Sequence, residues 1–188
     1  MTVWQAHNSG LPTGASVLAL ASDPATPQTL LVGTYDDHSL YRSEDGGANW
    51  TPVAHGLPPR PVHALLWPAS HPGVVLAGTG DGLYRSADGG ATWSHLLTDP
   101  AHSPFAIYAL SQARGGAVYL GGDRNALWRS DDGGATWAPL SPIAEGISVL
   151  SLASIPADGL LLAGSDRNGV YFSADGGESW RRGDGMDR

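Results

Sequence analysis

The chain has 188 residues, a formal charge of −8 and no cysteine, and its ten basic residues are all arginine against 18 acidic ones. An acidic surface repels phosphate backbones and anionic bilayers, which argues against nucleic acid and membranes as partners. Disulfides and thiolate chemistry are excluded, and no apolar run approaches the length of a membrane-spanning helix.

The N-terminus, Met1-Thr2-Val3-Trp4-Gln5, has neither the basic nor the apolar region of a signal peptide. This predicts a cytoplasmic protein, or an extracellular one if the chain is a fragment of something exported. Residues 2–12 end in His7-Asn8-Ser9-Gly10-Leu11-Pro12, a copy of the stretch closing on His55-Gly56-Leu57-Pro58, and they predict an extra strand. Four repeats follow, at approximately 13–56, 57–100, 101–143 and 144–188.

Each repeat divides into four apolar segments, A to D, separated by turn residues. In the first they are Val17–Ala21, Thr29–Gly33, Ser39–Arg42 and Asn49–Val53; in the second, Val62–Leu66, Val74–Gly78, Leu83–Arg85 and Thr92–Leu96. The third has Ala106–Leu110, Ala117–Gly121, Leu127–Arg129 and Thr136–Leu140, and the fourth Ser148–Leu152, Leu160–Gly164, Val170–Phe172 and Ser179–Arg182. Most of the 26 glycines and 14 prolines fall at the turns between these segments, so they punctuate strands and do not signal disorder. Segments A and B are continuous apolar runs, as expected of strands covered on both faces.

Between C and D one octet recurs. It reads Ser43-Glu44-Asp45-Gly46-Gly47-Ala48-Asn49-Trp50 in the first repeat, and the pattern S-x-D-G-G-x-x-W returns at Asp88 and Trp93, Asp132 and Trp137, and Asp175 and Trp180. Successive tryptophans lie 43, 44 and 43 residues apart, and a period in this range marks a repeat architecture. Two glycines after an aspartate make a tight turn whose carboxylate can accept backbone N–H groups, and the tryptophan supplies a packing anchor. A catalytic site is normally built once. Four copies at constant spacing therefore predict structural roles for these aspartates and tryptophans.

The octet resembles the Asp-box, or BNR, repeat of β-propellers, found in sialidases, Vps10/sortilin receptors, xyloglucan-acting glycosidases and photosystem II assembly factors. The resemblance covers essentially the whole chain. It implies a single all-β propeller domain over 1–188, built from four blades of four antiparallel strands. Four repeats plus an additional strand leave the ends unmatched, and relatives of this kind generally have six or more blades. Three outcomes stay open: a small four-bladed ring, two chains joined as a homodimer into a larger ring, or a fragment of a longer propeller.

Propellers bind ligands on the face carrying the B–C and D–A connections. Here the B–C connections offer Tyr35, Asp36 and His38, then Asp81, then Asp123 and Arg124, then Asp166 and Arg167. Carboxylates alternating with guanidiniums suit a protein segment or a glycan; turn chemistry alone accounts for all of them except Arg124 and Arg167. The seven histidines lack metal-ligand spacing, so neither a metal nor another cofactor is expected. The Arg-Ile-Pro motif of sialidases is missing, and Arg42, Arg85 and Arg129 are repeat-equivalent positions in separate blades. The expectation is a non-catalytic scaffold that binds a protein segment or glycan. The alternatives are a glycoside hydrolase or sialidase-like enzyme, whole or in part, and a designed or excised array without a native ligand.

Overall fold

A computed structural model describes residues 6–36, 38–53, 55–96, 105–155 and 159–183. These form sixteen short strands in four separate antiparallel sheets, each a meander of four strands consecutive in sequence. The first sheet holds β1 (Val17–Ser22), β2 (Leu30–Thr34), β3 (Leu40–Ser43) and β4 (Thr51–Pro52). The second holds β5 (Val62–Leu66), β6 (Val75–Thr79), β7 (Gly82–Ser86) and β8 (Ser94–His95). The third holds β9 (Ile107–Gln112), β10 (Val118–Gly122), β11 (Leu127–Ser130) and β12 (Ala138–Pro139), with a 3-10 turn at Asp123–Asn125. The fourth holds β13 (Val149–Ile155), β14 (Leu160–Ser165), β15 (Val170–Ser173) and β16 (Arg181–Arg182).

The sheets are propeller blades, and their first strands are the inner ones: β1 packs on β5, β5 on β9, and β9 on β13. What joins consecutive blades is a fit between a glycine and a branched side chain. An added Cβ on Gly33 would lie 2.6 Å from the Val62 carbonyl oxygen, one on Gly78 2.7 Å from Ile107 Cγ2, and one on Gly121 2.5 Å from Val149 Cγ1. Only glycine lets the second strand of one blade approach the inner strand of the next so closely.

A β-bulge sets up this contact. The register slips between Val17 and Ala19, between Val62 and Ala64, and between Val149 and Ser151. Residues three apart in a regular strand point to opposite faces, but the extra residue turns both Val149 and Leu152 onto Gly121. Around each joint grows an apolar core shared between blades. Leu31 and Leu40 of the first blade pack with Val62, Val75, Tyr84 and Trp93 of the second. Leu76 and Leu83 pack with Ile107, Val118 and Leu120 of the third, and Leu127 with Val149 and Ala163 of the fourth.

Continuous burial is therefore found on β2, β6 and β10, as their apolar runs predict. It fails on the inner strands: Leu18 and Leu150, at equivalent positions of the first and last, are exposed, and on β1 Val17 and Leu20 are exposed as well because no blade precedes them. The extra strand expected over 2–12 is not formed by the residues described: 2–5 lie outside them, and 6–12 make one parallel bridge, Ser9 to Asn49. This segment runs across the first octet tryptophan. Trp50 N–H donates to the Ser9 carbonyl at 2.8 Å, its indole Nε1 donates to the His7 carbonyl at 3.1 Å, and Leu11 packs on its ring cluster. The fourth sheet already contains its own outer strand, β16, paired with β15.

Candidate functional site

The two ends of the blades are chemically distinct. At one end lie the octet turns, where each carboxylate accepts hydrogen bonds from its own turn. Asp45 Oδ1 accepts from the Ser43 hydroxyl at 2.8 Å and the Asn49 N–H at 2.9 Å, and its Oδ2 from the Asn49 amide at 2.8 Å. Asp88, Asp132 and Asp175 repeat this with the hydroxyls of Thr92, Thr136 and Ser179. Gly46 and Gly47 take φ of 71° and 91°, which side chains rarely tolerate. Trp93 and Trp137 donate their indole N–H to Gly90 and Gly134 carbonyls of their own turns. The Trp180 indole nitrogen is buried without a partner. These aspartates have their acceptors filled locally.

At the other end the B–C connections meet the segments entering the inner strands. Tyr35 N–H donates to Ser16 O, Gly80 to Pro61 O, Asp123 to Ala106 O and Asp166 to Ser148 O. The expected site residues do not form one ring here. Asp36 stays with the first blade, its Oδ1 accepting from the His38 N–H at 3.1 Å and the Tyr41 hydroxyl at 3.4 Å. Burial, then the Asp36 charge, pushes the Tyr41 phenol above its usual pKa. The Asp36 Oδ2 is buried with no partner, and Tyr35 beside it is exposed. Asp37 lies outside the described residues. Asp81 turns back on its own loop and accepts from the Thr79 hydroxyl at 2.8 Å.

The remaining acids do converge. Asp123 accepts from the Ser148 hydroxyl at 3.2 Å, and its carboxylate lies close enough to the Tyr108 phenol to act on it. Asp166 accepts from the Ser148 N–H at 3.0 Å and lies 3.5 Å from Arg167 Nε. Tyr108 meets the His63 ring edge-on, 5.2 Å between centroids. His63, Tyr108, Asp123, Ser148, Asp166 and Arg167 thus form a continuous polar row across blades two to four. Burial, then the neighbouring Asp123 carboxylate, raises the Tyr108 pKa, while burial lowers that of His63 against the pull of the Asp123 charge. Tyr108 therefore stays a neutral donor and His63 a largely neutral ring near pH 7.

Beside this row is a cavity of about 310 Å³ lined by Phe105, Asp123, Arg124, Asn125, Leu127 and Trp128. Arg124 and Asn125 have φ of 53° and 62°, a left-handed conformation uncommon for side-chain-bearing residues. Asn125 is held there by its N–H on the Ile147 carbonyl at 2.8 Å and by its amide on the Ala144 carbonyl, both from the following blade. Its Oδ1 is left buried without a donor.

His63, Tyr108 and Ser148 are absent from the expected site. A signal for two of them exists in the repeat. Leu18, His63, Tyr108 and Leu150 occupy equivalent positions of successive inner strands, and His63 and Tyr108 are polar where the others are leucine. Ser148 has no such signal, because its role comes from the distance between two loops.

The sequence matches the model of the DUF6242 beta propeller domain over residues 1–187. No curated protein matches it. Among solved structures it is similar to the GH74 xyloglucanase from Xanthomonas campestris, with TM-score 0.69 and 23% identity, over 86% of this chain and 29% of that one. It is similar to YCF48 bound to D1 peptide, with TM-score 0.56 and 18% identity, over 92% of this chain and 69% of that one. The computationally designed Ika4 protein aligns with TM-score 0.63 and 17% identity, over 91% of this chain and 98% of that one. At these identities the likeness is one of fold alone, and the chain spans about 29% of the xyloglucanase.

Proposed function

Since the chain belongs to the family of the DUF6242 beta propeller domain, we propose that it is a non-catalytic binding module whose octets are Asp boxes and whose B–C face holds a protein segment or a glycan. The observation that carries this reading is the polar row from His63 to Arg167 running beside the cavity at Arg124 and Asn125. The row offers donors and acceptors at fixed spacing. The cavity adds apolar walls from Phe105, Leu127 and Trp128, the mixture a small recognition pocket needs. A peptide-bound neighbour in YCF48 is consistent with a segment lying on such a face.

The test is binding of the purified chain to a peptide library and a glycan array, followed by calorimetry on the hits. Arg124→Ala and Tyr108→Phe are each expected to weaken binding about tenfold or more, the loss of one charged or charge-linked hydrogen bond. Both positions lie outside the interblade cores, so the melting temperature should hold. Hits whose affinity ignores both substitutions would refute this site. Hydrolysis of an array glycan, lost in Asp123→Asn or Asp166→Asn with folding intact, would instead establish a glycosidase-like enzyme.

A further inference from the structure

The arc of blades is open. The first and last inner strands, β1 and β13, form no packed pair like those between neighbours. The large apolar side chains exposed among the described residues, Val17, Leu18, Leu20, Tyr35, Leu150 and Val170, all lie on the first and last blades. We infer that these two blade faces bind each other between two copies of this chain, closing a ring of two chains.

The two free faces are the separated halves of the joint that already occurs three times. Val17 is 51% exposed, whereas its counterparts Val62, Ile107 and Val149 are fully buried, each on a glycine of the preceding blade. Gly164 is the fourth such glycine. An added Cβ there would meet only Ser151 of its own blade, since no branched side chain comes from a following one. Val170 is 53% exposed, whereas its counterparts Leu40, Leu83 and Leu127 are at most 2% exposed beneath the next blade. Phe172 stands where the other blades have Arg42, Arg85 and Arg129, so the last face is the more apolar one. One end therefore presents Gly164, Val170 and Phe172, and the other presents Val17 and Leu20, the pair that the bulge turns outward. Each end lacks what the other carries.

The same logic sets the number of copies. The two faces differ, so copies associate head to tail and close only at a suitable count. Two four-bladed arcs make eight blades, within the usual range of propellers, and three would exceed it. The inference does not depend on the ligand proposed above. It adds that the line of equivalent inner-strand positions, Leu18, His63, Tyr108 and Leu150, would continue into the second copy.

Light scattering of the chain at micromolar concentration should give twice the 19.5 kDa chain mass. Val17→Asp and Leu20→Glu should each return it to 19.5 kDa. Because both residues are exposed in the single chain, the melt should stay cooperative. A wild-type mass of one chain would overturn the inference, as would an open series of larger assemblies. A doubled mass that survives both substitutions would place the contact elsewhere and overturn it as well.

Discussion

Replacing Ile107 with alanine is expected to lower the unfolding free energy by about 2–5 kcal/mol, a large part of a domain's total. Ile107 is fully buried, packs on Gly78, and shares a core with Leu76, Leu83, Val118 and Leu120 from two blades. The surrounding backbone is pinned by both sheets and can collapse little into the space. Enlarging the other partner should also cost stability. Gly78→Val places a Cβ 2.7 Å from Ile107 Cγ2, the atom alanine at 107 would remove, and should cost about 1–3 kcal/mol through overpacking. The double variant reverses which blade carries the bulk, so its cost should fall short of the sum of the two by about 1 kcal/mol. Urea unfolding of the four proteins measures all three quantities. Strict additivity would mean that the two residues do not form one contact.

Acid is expected to unfold the chain between about pH 4 and pH 2, and the octet carboxylates give the direction. Asp45 is held down to about 2, first by the Asn49 amide, and Asp88 to about 2, first by the Thr92 hydroxyl. The hydroxyls of Thr136 and Ser179 hold Asp132 and Asp175 lower still. In the unfolded chain these groups take up protons near pH 4, while in the folded chain they stay ionised to much lower pH. Between those limits the unfolded state binds more protons, so stability falls with pH. It is fully present above the unfolded value and is lost as pH drops towards the folded one. Melting temperature should thus be nearly flat from pH 7 to pH 5 and then decline steeply. Thr92→Val removes the main support of one carboxylate, so it should lower the melting temperature at pH 7 and make the decline below pH 4 shallower. An unchanged steepness in that variant would assign the acid sensitivity to other groups.

The repeat was legible because its physics is local. An S-x-D-G-G-x-x-W turn closes through bonds from Ser43, Gly47 and Asn49 to groups within the same octet, so the spacing of four tryptophans suffices to count blades. The B–C acids were legible only as turn residues. Asp36, Asp81, Asp123 and Asp166 look alike in sequence, yet only Asp123 and Asp166 come within reach of one serine. That difference arises because Ser148 stands between two blades, and no local pattern records which loops meet. Residues 6–12 copy the linker after Trp50 and do what that linker does, which is to cross a tryptophan turn: Gly56 passes over Trp93, and Ser9 to Leu11 over Trp50.

By itself the sequence determined the number of blades, the four strands in each and the turns between them, because every one of these rests on pairings between strands consecutive in the chain, as Val17 with Thr34. Only the tertiary structure decided how the blades join and where they stop. Gly33, Gly78 and Gly121 became sockets when a bulged strand from the next blade placed a branched side chain on them. Val17 and Gly164, with the same chemistry, were left facing solvent because a pairing between blades needs a neighbour, and the arc ends on both.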